Sequence, residues 1–291
     1  MKNLRAIILF VLVMGIIIYF RNDLPLVRKN IEAFFKQANI ATSTNSILTD
    51  LKKEISTPPP LRQSGGASLI SGDLTSNGVI KQTNQNREEN GLGGLSLNAK
   101  LTAAAEEKLN DMFKNQYFEH VSPSGRGPAD LANDVSYQYI VIGENLALGN
   151  FGGDKALVNA WMASPGHRAN ILNVKYKEIG VAVGKGQFNG ETTWLAVQEF
   201  GEPLSDCPSP DASLQGTINT MEGAVSSLND DLKTKKAVLD ATSPSDPSYN
   251  QKADIYNAEV KQYNSEIGQI KVQIDQYNAE VKIFNTCTGN N

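Results

Sequence analysis

The chain has 291 residues, 40% of them apolar and 20% charged, with a net charge of −4. That length is enough for one or two ordinary domains. Lys and Arg do not cluster beyond adjacent pairs, which excludes the phosphate backbone of a nucleic acid as the main partner. The two cysteines and two histidines have no zinc-finger spacing.

The N-terminus carries an apolar run, residues 6–20, between Arg5 and Arg21. Such a helix covers about 22 Å, less than a hydrocarbon core of ~30 Å, and the flanking arginines can extend it by snorkelling. We predict a membrane anchor and juxtamembrane helix over residues 1–37. A cleaved secretory signal is the alternative, although no small-x-small site follows Phe20. Basic residues are more numerous after the run than before it, so the positive-inside rule does not support export.

Residues 38–73 are rich in Ser, Thr, Pro and Gly and include three consecutive prolines, Pro58, Pro59 and Pro60. This composition supplies too few large apolar side chains for a core. It therefore predicts a disordered linker, stiff at the prolines and loose at the glycines.

Residues 74–205 have the patterns of a folded domain. Asn98 is expected to cap a helix that runs to about Asn115, and Asp154 is expected to open another. Two β-branched and aromatic runs, residues 179–183 and 192–200, are joined through Asn189 and Gly190, a pair typical of a β-hairpin. Helices first and a hairpin late predict an α+β layered domain.

Residues 206–291 show apolar side chains at a 4-3 spacing on both sides of a Pro-rich turn near Asp246. This pattern predicts an antiparallel coiled-coil hairpin. Pairing residues symmetrically about Asp246 places Cys207 opposite residues 284–287. We therefore expect a disulfide between Cys207 and Cys287, which requires an oxidising compartment; two free thiols are the alternative.

Several short motifs follow one another in order across residues 74–202, and together they resemble the SCP domain of the CAP superfamily, of bacterial type. They are Asn86-Arg87, Gly91-Leu92, Phe118-Glu119-His120, Gly143-Glu144-Asn145-Leu146, Trp161-Met162, Ser164-Pro165-Gly166-His167-Arg168, Ile179-Gly180-Val181 and Phe200-Gly201. The resemblance implies a three-layer α-β-α sandwich, placed outside the cell. It also implies a cleft lined by two histidines and acidic groups.

Both histidines lie in loop-like contexts, His120 before a Ser-Pro-Ser-Gly stretch and His167 after Ser-Pro-Gly. Imidazole can bind a transition metal or carry a proton near neutral pH. The resemblance implies that His120, Glu144 and His167 converge on one site. They are the candidate catalytic residues and the candidate ligands of a divalent metal such as Zn²⁺.

The other residues that the resemblance assigns to the cleft are Asn145, Ser164 and Arg168. Alternatively, all these groups form a polar network with a purely structural role. Many animal and plant relatives have a second glutamate three residues after the tryptophan that corresponds to Trp161, and this chain has Ser164 there. No serine or cysteine has the context of a nucleophile.

Taken together, these features favour a binding protein over an enzyme. We expect a membrane-tethered, extracytoplasmic module whose His/Glu cleft binds a metal ion, a lipid or an envelope component, without a nucleic-acid partner. One alternative is a metal-dependent hydrolase of envelope peptides, with Glu144 as its base. Another is a coiled-coil interaction protein with the SCP domain as scaffold. Secretion after signal cleavage is the alternative to a permanent anchor.

Overall fold

A computed structural model of the protein describes residues 53–63 and 72–289. The predicted anchor and juxtamembrane helix, residues 1–37, lie outside the described residues. Within the described ranges, no helix combines the length and apolar character needed to cross a membrane. The described residues form two compact units, 53–208 with 286–289, and 209–285.

The first unit is a mixed α/β domain. Its strands are β1 (Glu54–Ser56), β2 (Leu61–Arg62), β3 (Ser96–Leu97), β4 (Tyr139–Gly149), β5 (Glu178–Phe188) and β6 (Glu191–Pro203). Its helices are α1 (Ser76–Glu89), α2 (Ala99–Asn115), α3 (Pro128–Asp134), α4 (Asp154–Ala163) and α5 (Pro165–Ile171). A 3-10 turn, Leu204–Asp206, follows β6.

The strands form one sheet in the order β1-β4-β6-β5-β3, and β2 also pairs with β4. Strand β6 is antiparallel to both of its long neighbours, β4 and β5. The short strands β1 and β2 run parallel to β4 along its free edge. The centre of the sheet is therefore built from long, buried strands whose side chains alternate between two covered faces.

Helices cover both faces of this sheet. On one face α2 packs against β4, β5 and β6 through a core that includes Met112, Leu146 and Leu195. On the other face α1 lies close enough for the Gln198 amide to donate to the Thr83 hydroxyl at 2.7 Å. Helices α4 and α5 pack with α1. This arrangement agrees with the predicted α+β class and layered order.

Local sequence signals set several of the element ends as predicted. The Asn98 side chain accepts from the backbone N–H groups of Lys100 and Leu101 and so caps α2. Strands β5 and β6 are joined by Asn189 and Gly190 alone, with φ of 50° and 85°. Positive φ at both positions is the geometry of a type I′ turn, and this is why Asn-Gly predicts a tight hairpin.

The edge of the sheet corrects one prediction. Residues 54–62, which fall inside the predicted disordered linker, form β1, a four-residue connection and β2 along β4. We call residues 54–62 the edge segment. The composition gave a different expectation because pairing with a sheet edge uses backbone groups and needs few apolar side chains. The domain thus begins at the edge segment, before residue 74.

The second unit contains α6 (Ala212–Asp240) and most of α7 (Tyr249–Thr288). The two helices pack antiparallel around a shared apolar cluster that includes Leu214, Ile218 and Ile274. An ion pair joins Lys235 to Glu259 near the turn. The predicted helical hairpin is therefore present, and its supercoil stays a prediction.

The cysteine pairing is confirmed. Cys207 and Cys287 form a disulfide with a Cα–Cα distance of 5.7 Å, across 80 residues of sequence. The symmetric pairing of the heptads about the turn thus identified the correct partners. A disulfide of this kind is typical of proteins that reside in an oxidising compartment.

Candidate functional site

Strand β4 places Glu144 and Asn145 on opposite faces of the sheet, because successive strand residues alternate in direction. Glu144 points to the side of Leu146 and α2, and Asn145 to the side of α1 and α5. Both residues are fully buried, with 0% exposure. Glu144 and Asn145 therefore contact different sets of residues, on opposite faces of the sheet.

His120 lies in the loop after α2 and contacts Glu144 directly. Its Nδ1 atom is 2.6 Å from the Glu144 Oε1 atom, and its Nε2 atom is 2.5 Å from the backbone oxygen of Pro58 in the edge segment. A carbonyl oxygen only accepts, so Nε2 carries a proton and donates to Pro58. The buried carboxylate thus fixes the ring with its Nε2–H directed at a peptide carbonyl.

Glu199 is a second buried carboxyl group at the site. It is the direct cross-strand partner of Glu144 on β6 and is 3% exposed. Burial raises the pKa of Glu199 well above its ordinary value, and the negative charge of Glu144 and a hydrogen bond to it add to the effect. Two adjacent buried carboxyl groups resist ionising together, so the raised pKa of Glu199 favours its protonated form beside Glu144.

Lys108 of α2 is the buried cation that faces this carboxyl pair. It is 1% exposed, and its Nζ donates to the backbone oxygen of His120 at 2.7 Å. Burial lowers the pKa of Lys108, an effect that the neighbouring carboxyl groups of Glu144 and Glu199 oppose. Lys108 therefore holds the His120 loop in place and offsets the charge of Glu144.

His167 approaches from the first turn of α5. It is 1% exposed, and its Nδ1 atom lies 2.8 Å from the Ser164 hydroxyl. Its Nε2 atom is buried and makes no hydrogen bond of ordinary geometry among the described residues, although the Leu146 backbone is close enough to interact with the ring. Burial, and then the charge of His120, lower the pKa of His167 to about 4. His167 is therefore neutral near pH 7 and faces the same region as His120.

Asn145 belongs to a buried amide network. Its side-chain nitrogen donates to the backbone oxygen of His167 at 3.3 Å and to Gln198 at 3.1 Å, while its oxygen accepts from Asn170 at 3.0 Å. These contacts fix the start of α5 against β4. In the described conformation Asn145 thus positions His167.

Arg168 is exposed and directs its guanidinium to Asn90, at the C-terminal end of α1, at 3.2 Å. Of the three residues assigned to the cleft by resemblance, Ser164 contacts His167 directly and Asn145 holds its backbone. Arg168 contacts neither histidine through its described hydrogen bond. The cleft roles of all three stay predictions.

The side chains of Tyr176 and Asn170 leave no room for a Cβ atom at Gly143. A Cβ at this position would lie 2.1 Å from the Tyr176 hydroxyl and 3.2 Å from the Asn170 side-chain oxygen. Only glycine therefore permits this close packing beside Glu144. In this motif, Gly143 is required for packing, and the next residue, Glu144, supplies the buried carboxyl group.

The described arrangement does not fit a preformed zinc site. Both ring nitrogens of His120 are engaged, one by Glu144 and one by Pro58. Across residues 53–63 and 72–289, no group of three or more His, Cys, Asp or Glu side chains has the geometry to hold a metal ion. A metal at His120 would first have to displace the carbonyl oxygen of Pro58. The expected Zn²⁺ stays a prediction.

Sequence reasoning missed Lys108, Glu199 and Pro58. Lys108 falls on the buried face of α2, between Ala105 and Met112, and a charged residue in such a stripe is a signal for a buried ion pair. Glu199 interrupts an apolar strand, which is a similar signal. Nothing in the local sequence indicates that Pro58 contacts a residue 62 positions away.

Comparison with known families agrees with this fold. Residues 80–200 match the family model of CAP, the cysteine-rich secretory protein family. The chain therefore contains a CAP domain, and the resemblance inferred from the motifs is confirmed. The matched range includes His120, Glu144, His167 and Glu199.

Two relatives come from Bacillus subtilis (strain 168). The uncharacterized protein YkwD is 39% identical over 103 residues, which are 35% of this chain and 40% of YkwD. The uncharacterized membrane protein YlbC is 32% identical over 107 residues, which are 37% of this chain and 31% of YlbC. The matches thus span less than half the length of either relative.

Solved structures with weaker overall likeness include an outer surface protein of Borrelia burgdorferi. Its TM-score is 0.37 at 22% identity, covering 43% of this chain and 90% of that protein. An extracellular SCP-domain protein of Bacillus anthracis str. Ames has a TM-score of 0.37 at 28% identity, covering 45% of each chain. With TM-scores below 0.5, neither likeness carries an argument about function.

The low pKa of His167 makes the stability of the domain pH-dependent. The unfolded chain takes up a proton near pH 6.5, whereas folded His167 does so only near pH 4. Between these values the unfolded state binds more protons, so this contribution to stability is lost as pH falls. Between pH 6.5 and pH 4 the loss in the free energy of unfolding amounts to roughly 3 kcal/mol at most.

We expect the stability advantage of wild type over His167→Gln to shrink as pH is lowered from 7 to 4. Urea unfolding at several pH values measures it. The raised pKa of Glu199 has the opposite effect, because it favours the folded state at low pH. Since both proteins contain Glu199, this contribution cancels in the difference between their free energies of unfolding. A difference that is constant with pH would show that folded His167 titrates normally.

Proposed function

We propose that this protein is a membrane-tethered, extracytoplasmic CAP-domain module that binds an envelope component at the His120/Glu144 site. One observation carries the proposal. A buried carboxylate holds the His120 ring so that its Nε2–H meets a peptide carbonyl from the edge segment. Such a fixed donor is suited to recognising a neutral acceptor group.

A buried polar atom without a regular partner supports a binding role at the same place. Among the described residues, the buried His167 Nε2 atom makes no hydrogen bond of ordinary geometry. Buried polar atoms without partners are unusual and are frequent at functional sites. A ligand that supplied a donor or an acceptor here would satisfy it.

The proposed location rests on separate support. The disulfide between Cys207 and Cys287 favours an oxidising compartment. The apolar N-terminal run is long enough for an anchor with snorkelling arginines, and one relative is described as a membrane protein. The helical hairpin then acts as a structural or partner-binding extension of the tethered module.

We expect the full-length chain to sediment with isolated bacterial cell walls, and His120→Gln to lose at least tenfold of that affinity. The glutamine removes the Nε2–H but keeps a polar side chain. Lys114→Ala, at an exposed position near the end of α2, is the matched control and should bind as wild type. Equal binding by wild type and His120→Gln would contradict the proposal.

A parallel binding test with vesicles of phosphatidylglycerol and phosphatidylethanolamine distinguishes a lipid ligand from a wall component. The chain used in this test lacks residues 1–37, so that the predicted anchor does not contribute to binding.

Metal analysis of the purified protein tests the predicted Zn²⁺. Equal metal content in wild type and the His120→Ala/His167→Ala double variant would remove a metal from the site. Turnover of envelope peptides by wild type that is lost in the double variant would favour the hydrolase.

A further inference from the structure

The edge segment lies in the site as a bound peptide would. Residues 54–56 pair in parallel with residues 141–143 of β4, and residues 61–62 pair with residues 147–148. Between these short ladders, residues 57–60 pass the part of β4 that carries Glu144. Addition of an extended chain to a sheet edge is a recurrent mode of peptide recognition.

The middle of the segment is held by the site and not by the sheet. Pro58, Pro59 and Pro60 have no backbone N–H, so these residues cannot donate to β4. Instead, His120 Nε2 donates to the Pro58 carbonyl at 2.5 Å. This contact recognises a backbone group, which every peptide offers.

The surface beside His120 has room for a proline ring. Pro58 is buried, whereas Thr57 and Pro59 on either side of it are exposed. A Cβ added at Gly166 would lie 2.7 Å from the Pro58 Cβ, so glycine at the start of α5 provides the space that the ring uses. The site thus combines a carbonyl donor with a shallow proline contact.

Further contacts hold both ends of the segment. The Arg62 guanidinium lies 4.8 Å from the centre of the Phe118 ring, and the Asn170 amide donates to the Ser56 carbonyl at 3.3 Å. Lys175 pairs with Glu54 at 2.6 Å, where both side chains are about half exposed. The backbone N–H of Gln63, just beyond the segment, donates to the Leu148 carbonyl at 2.9 Å.

We propose that the free edge of β4 beside His120 is a groove for an extended, proline-containing peptide that runs parallel to β4. The edge segment occupies this groove in cis, and a peptide in trans competes with it. The peptide places a backbone carbonyl on His120 Nε2 and a proline against Gly166. Prolines favour such a ligand because they restrict its unbound conformations.

This inference rests on the proposed function, since it names the ligand class of the same site. A segment tethered to its own groove has an effective concentration in the millimolar range. A peptide in trans therefore binds wild type weakly, and binding strengthens when the edge segment is removed from the groove.

The test uses a fluorescent peptide with the sequence of residues 53–63. It is titrated into the full-length chain and into a vacated chain in which Gly and Ser replace residues 54–62. We expect the vacated chain to bind at least tenfold more tightly than wild type. Adding His120→Gln to the vacated chain should remove at least tenfold, whereas adding Lys114→Ala should change nothing. A peptide with alanine at the three proline positions should bind more weakly.

Equal binding to wild type and to the vacated chain, or binding to neither while circular dichroism shows both folded, would overturn the inference. If the vacated chain does not fold, a chain with glycine only at residues 57–60 retains β1 and β2 and takes its place. That chain should also bind the peptide more tightly than wild type, and equal affinity would overturn the inference.

The same variants separate this inference from the proposed function. Cell-wall binding that requires His120, without peptide binding, would leave the proposed function standing and overturn the peptide groove. Peptide binding that requires His120, without cell-wall binding, would support the groove and contradict an envelope ligand. Exchange of edge segments between two copies, seen as a dimer by light scattering without peptide binding, would also overturn the groove.

Discussion

Replacing Glu144 with alanine is expected to lower the free energy of unfolding by about 3 kcal/mol or more. Glu144 is fully buried and accepts from His120 at 2.6 Å. Its removal leaves the ring nitrogen of His120 without an acceptor and the buried charge of Lys108 without its main counter-charge. Urea unfolding at pH 7 measures the loss, and cell-wall binding should fall with it.

Glu199→Gln is the matched control for this experiment. Glu199 lies beside Glu144 and has a pKa well above its ordinary value because of burial and the neighbouring charge. The raised pKa favours the neutral carboxylic acid, so an amide of nearly the same shape should cost less than ~1 kcal/mol in the free energy of unfolding. A loss as large as that of Glu144→Ala would mean that the charge is assigned to the wrong carboxyl group.

Removing the disulfide is expected to have an effect of similar size. The Cys207→Ser/Cys287→Ser double variant opens a loop that spans 80 residues of sequence. Loop-closure entropy then predicts a loss of about 4.5 kcal/mol in the free energy of unfolding, since the unfolded chain gains conformations.

Urea unfolding followed by far-ultraviolet circular dichroism measures this loss. Wild type treated with a reductant should reproduce the unfolding curve of the double variant, and reductant should leave the double variant unchanged. An unfolding midpoint of wild type that does not respond to reductant would contradict a structural role for the disulfide.

Local signals predicted much of the fold because they act through near neighbours. Asn98 caps α2 through the next residues of the chain, and Asn189-Gly190 supplies the two positive φ angles of the β5–β6 turn. The cysteine pair followed from the symmetric spacing of apolar residues about the turn, which places Cys207 opposite residues 284–287. Each of these features depends on residue type and spacing alone.

The edge segment shows where such reasoning fails. Its composition is that of a linker, yet residues 54–56 and 61–62 pair with β4 residues that lie 87 and 86 positions further along the chain. Backbone pairing at a sheet edge has almost no side-chain signature. The same limit hid the contact between Pro58 and His120, which joins one loop to a proline-rich stretch.

The candidate site was predicted in part. The resemblance singled out His120 and Glu144, which contact each other, and His167, which lies in the same region. Many relatives have a second acidic residue at the position of Ser164, whereas in this chain the second buried carboxyl comes from Glu199 on β6. Only the sheet register places Glu199 beside Glu144, and register is not encoded in the local motif.

The two histidines of the chain permit a direct test of the central claim, that His120 presents its Nε2–H to a bound carbonyl group. Chain labelled with ¹⁵N-histidine gives signals from His120 and His167 alone, and a His120→Gln variant assigns them. We predict a protonated His120 Nε2 whose signal shifts on saturation with solubilised cell-wall fragments. A His120 Nε2 without a proton, or a His120 signal unmoved while the fragments bind, would contradict the account.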